Sequence, residues 1–483
     1  MLEMNMDSAS FQFVLYGLAA AVLSNLSRSR VWRSIVLSAA SLLFLALLDR
    51  NPVHFIPLAG FLLIGYAGLF LIQRGLPKVL TLSILAVILA YIWLKKYTVL
   101  PEAAFLHSFY FTIGLSYIFF RVLHLLIESG ESREKLPIGF GAYLLYTLNF
   151  TTLVSGPIQR YDEFARDQFA ELPIPLGIRT VGLQLERITR GFFKVNVLAL
   201  LLSYAREHAV MLLTQPTPQS PRLLAAFCLA IVSPIFLYAN FSGYIDIVIG
   251  LARLMRVRLP ENFDRPFSAG SVLEFWNKWH MTLSNWLKTY VYNPLLVALM
   301  RRFPSPSVEP FLGVFCFFVT FFLIGVWHGR TSEFVVFGLL TGGGMSLNKL
   351  WQIGLVKALG RKGYKALSQR LVYRTFARGL NFLWFAFTVF WFLGSWGQID
   401  RIFAAISPLD WALVALAVWT SASVVLALWE WLRELLLSIR TSEGPVLLSR
   451  YARVVYASAL GSAALVLTIA LNQPAPGIVY KAF

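Results

Sequence analysis

The chain has 483 residues, 58% of them hydrophobic and 14% charged, against about 45–50% and about 25% in soluble domains. Its formal charge is +18, but the positives fall in short segments between apolar runs, which suits loops facing anionic lipid and argues against nucleic acid as a partner. The two cysteines, Cys228 and Cys316, lie in apolar stretches and build neither a disulfide framework nor a cysteine-type metal site.

In chain order, the segment before residue 11 carries Glu3 and Asp7 and no Lys or Arg. It lacks the basic start of a cleaved signal peptide, so the first apolar run is expected to be a retained span. A spanning helix needs about 20 mostly apolar residues. Runs at 11–26, 35–48, 55–72, 79–94 and 109–126 meet or approach that length. So do runs at 192–204, 223–238, 311–327, 334–350, 380–396, 412–429 and 456–471. Segment 144–156 contains Thr, Ser and Asn, and segment 241–254 contains Asp246; both read as re-entrant or packed inside the bundle. The expected fold class is therefore all-α: a polytopic single membrane domain over 1–483 with about 11 spans.

Arg28, Arg30 and Arg33 after the first run, and Arg74 and Lys78 after the third, point to cytoplasmic loops and an outside N-terminus; Lys95 and Lys96 point the other way. Segment 352–379 contains Lys357, Arg361, Arg370 and other basic residues with no acid, and 253–302 is also basic. With both on the cytoplasmic side, 311–327 runs outward and 334–350 returns. The chain has no Walker A loop, HExxH or GxSxG motif.

Two histidines stand apart. His328 ends the uncharged run LIGVWHG (323–329). An ionisable residue at membrane depth is a functional candidate, and a desolvated, neutral imidazole suits a general base that takes a proton from an attacking hydroxyl. The alternative is a histidine at headgroup level. His280 lies in 274–292, where Trp276, Trp279, His280, Leu283, Leu287 and Tyr290 share one arc of a helical wheel. This reads as one amphipathic interfacial helix with His280 at the edge of its apolar face, either functional or simply snorkelling. Asn240, Ser242 and Asp246 interrupt another apolar run; they either line a polar cavity or, with Gly243 and Gly250, join helices. A transporter or exporter without chemistry, using Asp246 in a midplane site, is the reading from another class.

Several stretches appear together and in order: LVSGPIQR (153–160), RGFFK (190–194), FSGYID (241–246), PENFDRPF (260–267), EFWNKWHMTLS (274–284) and GVWHG (325–329), with a weaker VYKAF (479–483). In this the chain resembles the membrane-bound O-acyltransferase family, over a core at 140–350. The match leans to the bacterial branch that contains the alginate O-acetyltransferase membrane subunit and the membrane protein of teichoic-acid D-alanylation. The resemblance implies a ring of helices around a thinned core, a donor entering from the cytoplasm and an acceptor arriving from outside. It places the family's catalytic histidine on His328 and its second signature position, His or Asn in relatives, on His280. Trp327, Asn240, Ser242 and Asp246 are the candidate substrate-binding residues. No cofactor is expected to stay bound; acetyl-CoA or an acyl-carrier thioester is a substrate. The implied reaction is transfer of acetyl to a hydroxyl of an exported polysaccharide or a periplasmic partner enzyme, in a bacterial inner membrane. D-alanyl transfer to a teichoic-acid-like polymer is the alternative. Asn240, where many relatives carry Asp, and Arg330 and Glu333 after the Trp-His-Gly depart from the family pattern.

Overall fold

The computed structural model describes residues 9–76, 78–98, 100–131, 137–215, 219–441, 444–446, 449–471, 473–474 and 476–479. The acidic residues Glu3 and Asp7, and residues 480–483 of the terminal motif, lie outside them. Nearly everything described is helical. The chain begins with α1 (Phe11–Ser24), α2 (Arg30–Leu48), α3 (Ile56–Gln73), α4 (Val79–Leu94) and α5 (Leu115–Glu131). Four shorter or amphipathic helices follow: α6 (Phe140–Thr147), α7 (Phe150–Leu153), α8 (Tyr161–Gln168) and α9 (Ile178–Phe193). A π-helical turn, Lys194–Ala199, leads into α10 (Leu200–Thr214) and then the long α11 (Gln219–Leu254). Next come α12 (Val272–Trp276), α13 (Met281–Leu287), α14 (Asn293–Arg302), α15 (Glu309–His328) and α16 (Ser332–Gln369). The last helices are α17 (Leu371–Leu393), α18 (Trp396–Ala404), α19 (Pro408–Ser438) and α20 (Arg450–Leu471). The only sheet among the described residues pairs Arg440–Thr441 with Gly444–Pro445.

Eight helical stretches among the described residues are long and apolar enough to span a membrane, and Phe11–Ser24 and Val79–Leu94 are shorter apolar helices. The protein is a polytopic, all-α membrane protein. Segments 223–238 and 241–254, separate in the sequence reading, form the single helix α11, which carries Pro234 internally. The basic segment 352–379 is not an open loop: α16 runs through it to Gln369, with a break at Gly360 where φ is +72°.

The chain divides into two compact units. The first comprises residues 1–197, 240–261 and 460–483. Within it α3, α4 and α5 pack together. Segment 144–156 is indeed interrupted, as α6 and α7. Backbone without helical partners needs others in an apolar setting, and the fully buried Arg121 provides them: its guanidinium donates to Tyr146 O at 3.3 Å, to Thr147 O at 2.8 Å and to Thr152 O. Helices α9 and α11 touch backbone to backbone. A Cβ on Gly191 would lie 2.5 Å from Gly243 O, and one on Gly243 would lie 2.8 Å from Gly191 O, so only glycine fits at this crossing.

The second unit comprises residues 198–239 and 262–459. Its core brings Ala226 and Leu229 together with Phe382, Ala386, Ile402 and Val418. The α15–α16 hairpin is its tightest pairing. Gly325 faces Gly338, where a Cβ would overlap the opposing backbone, and a Cβ on Gly338 would meet Phe322 O at 2.7 Å.

Candidate active site

His328 is the last residue of α15 and is 2% exposed. Its ring is enclosed by aromatics. Trp327 lies at 4.7 Å between centroids, Phe392 of α17 meets it edge-on at 5.1 Å, and Phe337 of α16 does so at 5.9 Å. Gly329 ends the helix in extended backbone, and a Cβ there would run into the Phe334 ring. The α15–α16 glycine seam therefore fixes the height of His328, and the aromatic wall fixes its direction. Trp327 is buried at 7% exposure.

His280 is placed by different means, and here the sequence reading is corrected. Residues 274–292 do not form one amphipathic helix. Helix α12 stops at Trp276, α13 starts at Met281, and His280 between them has left-handed backbone at φ 45°, ψ 50°. The break arises because this backbone pairs with a distant segment. Phe263 and Trp279 form an antiparallel bridge, Asp264 N–H donates to Lys278 O at 3.0 Å, and Met281 N–H donates to Asn262 O at 3.0 Å. Hydrogen bonds spent across the turn are not available for a continuous helix. His280 is 1% exposed, buried inside the unit rather than snorkelling. Trp279 packs beside it on Phe385 at 4.8 Å and stacks on Phe275 at 5.5 Å.

One side chain, Asn262, organises this turn. Its Oδ1 lies 3.1 Å from Thr282 N, 2.8 Å from Thr282 Oγ1 and 3.2 Å from His280 Nδ1. A backbone N–H only donates, so the atom facing Thr282 N is oxygen rather than the amide nitrogen. The same oxygen faces His280 Nδ1, which must then carry the proton. This leaves Nε2 as the lone-pair nitrogen of a neutral ring. Burial pushes the His280 pKa down to about 3, so the ring stays neutral at any physiological pH.

The remaining candidates belong to the first unit. Asn240 donates to Gly477 O at 3.1 Å and accepts from Val479 N at 3.0 Å, pinning the described end of the chain. Lys194 Nζ donates to Ser242 Oγ at 3.3 Å and to Asp246 at 2.8 Å. Asp246 also receives Arg187 at 2.9 Å and Arg190 at 3.2 Å, while Arg187 grips Glu261 with both terminal nitrogens. These three polar residues thus join helices and anchor chain. The structure brings His280, His328 and Trp327 into one unit, and Asn240, Ser242 and Asp246 into the other. Arg187 went unnoticed in the sequence, and Asn262 was read only as part of PENFDRPF, without a role; neither has a spacing to its partners that would mark it. Among the described residues no group of three or more His, Cys, Asp or Glu side chains is placed to hold a metal.

A model of the membrane-bound O-acyltransferase family matches residues 61–359. Teichoic acid D-alanyltransferase of Bacillus subtilis is 27% identical over 237 residues, 48% of this chain and 58% of that protein. Teichoic acid D-alanyltransferase of Streptococcus thermophilus is 28% identical over 298 residues, 56% of this chain and 70% of that protein. The probable alginate O-acetylase of Pseudomonas fluorescens is 29% identical over 237 residues, 49% of this chain and 44% of that protein. The aligned stretch thus spans about half the length of these relatives, ranging from 44% to 70%.

Proposed function

The chain belongs to the membrane-bound O-acyltransferase family, and from that membership and the buried imidazoles of His280 and His328 we propose that it moves an acyl group from a thioester to a hydroxyl across a bacterial inner membrane. The donor is acetyl-CoA or an acyl-carrier thioester presented at the cytoplasmic face. The acceptor is a hydroxyl of an exported polysaccharide, or of a periplasmic partner enzyme that passes the acetyl on. The observation that carries this reading is the enclosure of His328 by Trp327, Phe337 and Phe392, which keeps its imidazole away from bulk water.

In this proposal His328 takes the proton of the acceptor hydroxyl as its oxygen attacks the thioester carbonyl. The C–S bond then breaks, and the departing sulfur takes the proton back, leaving an ester and a thiol. His280, with Nδ1–H held by Asn262, uses Nε2 as the acceptor that positions the donor. A transport reading would use Asp246 as an ion site. Its carboxylate is already held by three cationic side chains, which favours the enzyme. Relatives named as teichoic acid D-alanyltransferases keep D-alanine in play as the acyl group.

The test measures ester-linked acyl groups on surface polysaccharide by mass spectrometry, in cells carrying the wild type or His328→Ala. The proposal expects a loss of about 10²–10⁴-fold, the usual weight of a positioned acid–base group, at unchanged membrane expression. Undiminished acylation in the variant would refute it. Release of D-alanine on ester hydrolysis would replace acetyl by D-alanyl.

A further inference from the structure

A groove of about 740 Å³ runs along α2, with α6 as its opposite wall. It starts at Arg30 and ends at Leu42, and Gly141 and Ala142 of α6 leave it open on the far side. Apart from Arg30, Ser34 and Ser38 its lining is apolar. Ser34 spends its hydroxyl proton on Arg30 O at 2.9 Å and accepts from Gln168 at 3.3 Å, so little polar capacity remains inside. A Cβ on Gly141 would meet nothing within 4 Å. The twelve helical steps from Arg30 to Leu42, at about 1.5 Å each, give a length of about 18 Å. One leaflet of the hydrocarbon core is about 15 Å deep, half of about 30 Å.

The Arg30 end of this groove is strongly and one-sidedly charged. Arg33, one helical turn on, is 1% exposed and donates to Asp167 O at 3.0 Å and to Ala170 O at 2.5 Å. Arg256 lies in electrostatic range of both Arg33 and Arg28, and Arg253 and Arg258 adjoin it around Asp167. Asp167 is the carboxylate common to this group, and Arg258 takes it with Nε and Nη2. Arg28 and Arg30 are exposed. A guanidinium at the mouth of an apolar channel, backed by surplus positive charge, matches a phosphate joined to an acyl chain.

We propose that the α2–α6 groove is a specific site for one anionic glycerophospholipid of the leaflet at the basic end of α2. One acyl chain lies on Ser38, Ala142 and Leu145, and the phosphate meets Arg30 within the field of Arg28. This separates the occupant from the lipid that coats any spanning helix, because it requires both a headgroup charge and a channel of fixed width. The site is independent of the acyl-transfer reading.

The experiment titrates the purified full chain in detergent with phosphatidylglycerol or phosphatidylcholine of identical chains and counts retained lipid by native mass spectrometry. The expected result is one phosphatidylglycerol held at least about tenfold more tightly than phosphatidylcholine, the equivalent of about 1.4 kcal/mol. Arg30→Ala should reduce that preference to about twofold or less while leaving residual binding of both lipids. Gly141→Leu, whose side chain enters the open channel, should abolish the retained lipid with either headgroup. Equal retention of the two lipids by the wild type overturns the proposal, as does a preference that survives Arg30→Ala. Undiminished binding in Gly141→Leu places the lipid elsewhere and overturns it too. Ser38→Leu, filling the channel from α2, gives the same readout should Gly141→Leu not accumulate.

Discussion

Replacing Asn262 by alanine removes an acceptor that three donors share. Thr282 Oγ1 can rotate to another partner, but Thr282 N–H and His280 Nδ1–H are held in direction by backbone and ring. Each buried N–H left without an acceptor costs about 1–3 kcal/mol. Some relaxation brings the expected loss for the pair to about 2–4 kcal/mol. The chemical consequence is separate. Without Oδ1 opposite Nδ1, nothing in the turn selects the tautomer, and the ring loses the bond that sets its tilt. A misplacement of about 1 Å at a reacting group costs about 10²-fold in rate. Asn262→Ala should therefore lower the thermal midpoint of the detergent-solubilised protein and reduce acyl transfer by about 10²-fold. Asn262→Asp keeps the oxygen but sets a carboxylate beside the imidazole, which favours its protonated form. That variant should recover the turn and bring a His280 titration into the pH–rate profile where the wild type has none. Nitrogen-15 spectra of labelled histidine read the tautomer directly. An Nε2–H signal for His280 in the wild type would refute the reasoning, as would Asn262→Ala at full stability and activity.

Three further outcomes follow from the packing. Gly325→Leu drives a side chain into the Gly338 backbone; it should part α15 from α16, displace His328 one turn away, and abolish transfer with destabilisation above the about 1–3 kcal/mol of ordinary overpacking, read by activity and thermal inactivation together. Asp246→Asn strips the partner from Arg190 and Lys194; losing one side of a buried ion pair costs about 3–5 kcal/mol, so the variant should accumulate poorly, and Asp246→Asn with Lys194→Met should recover part of the yield. Glu274, despite the opposing effect of burial, is held below the usual glutamate range by Lys278 at 2.8 Å and by Gly270 N–H at 2.8 Å. A depressed carboxylate stabilises fully above its unfolded pKa of about 4.3 and loses that contribution as pH falls through its folded value, so the midpoint of the wild type should drop more steeply below about pH 4 than that of Glu274→Gln.

What the sequence disclosed depended on how local the signal was. Spans are a property of about 20 consecutive residues, so most were legible, and His328 stood out because an imidazole closes an otherwise uncharged run. Asp246 was visible for the same reason. Joining helices was one of the two roles read for it, but its partners were not legible, since Arg187, Arg190 and Lys194 lie more than fifty positions away and meet it only where Gly191 and Gly243 let two helices touch. The failure at 274–292 is the most instructive. The helical wheel was self-consistent because Trp276 and Trp279 do face a core. A wheel has no means of knowing that residues 262–264 claim the backbone of residues 278–281. Asn262 stands within PENFDRPF, but its role was invisible on the same account: its partners are set by that long-range pairing.

The conformation of His280 bears on which chemistry it performs. A left-handed residue that is neither Gly nor Asn costs about 1–2 kcal/mol, and here bonds from Asn262 and Asp264 and the Trp279 packing hold it in place. A histidine kept there only to fill space would yield readily to glycine or asparagine. The ring offers Nε2 as an acceptor and Nδ1–H as a donor to Asn262. An asparagine at 280 tolerates the same backbone and offers the same pair, an N–H toward Asn262 and an oxygen inward. His280→Asn should accordingly hold the fold and keep transfer within about tenfold of the wild type, whereas His280→Ala, with neither group, should lose about 10²-fold. Equal and severe loss in both variants would show that the imidazole itself exchanges a proton during the reaction, and would make His280 a second catalytic base rather than the group that positions the donor.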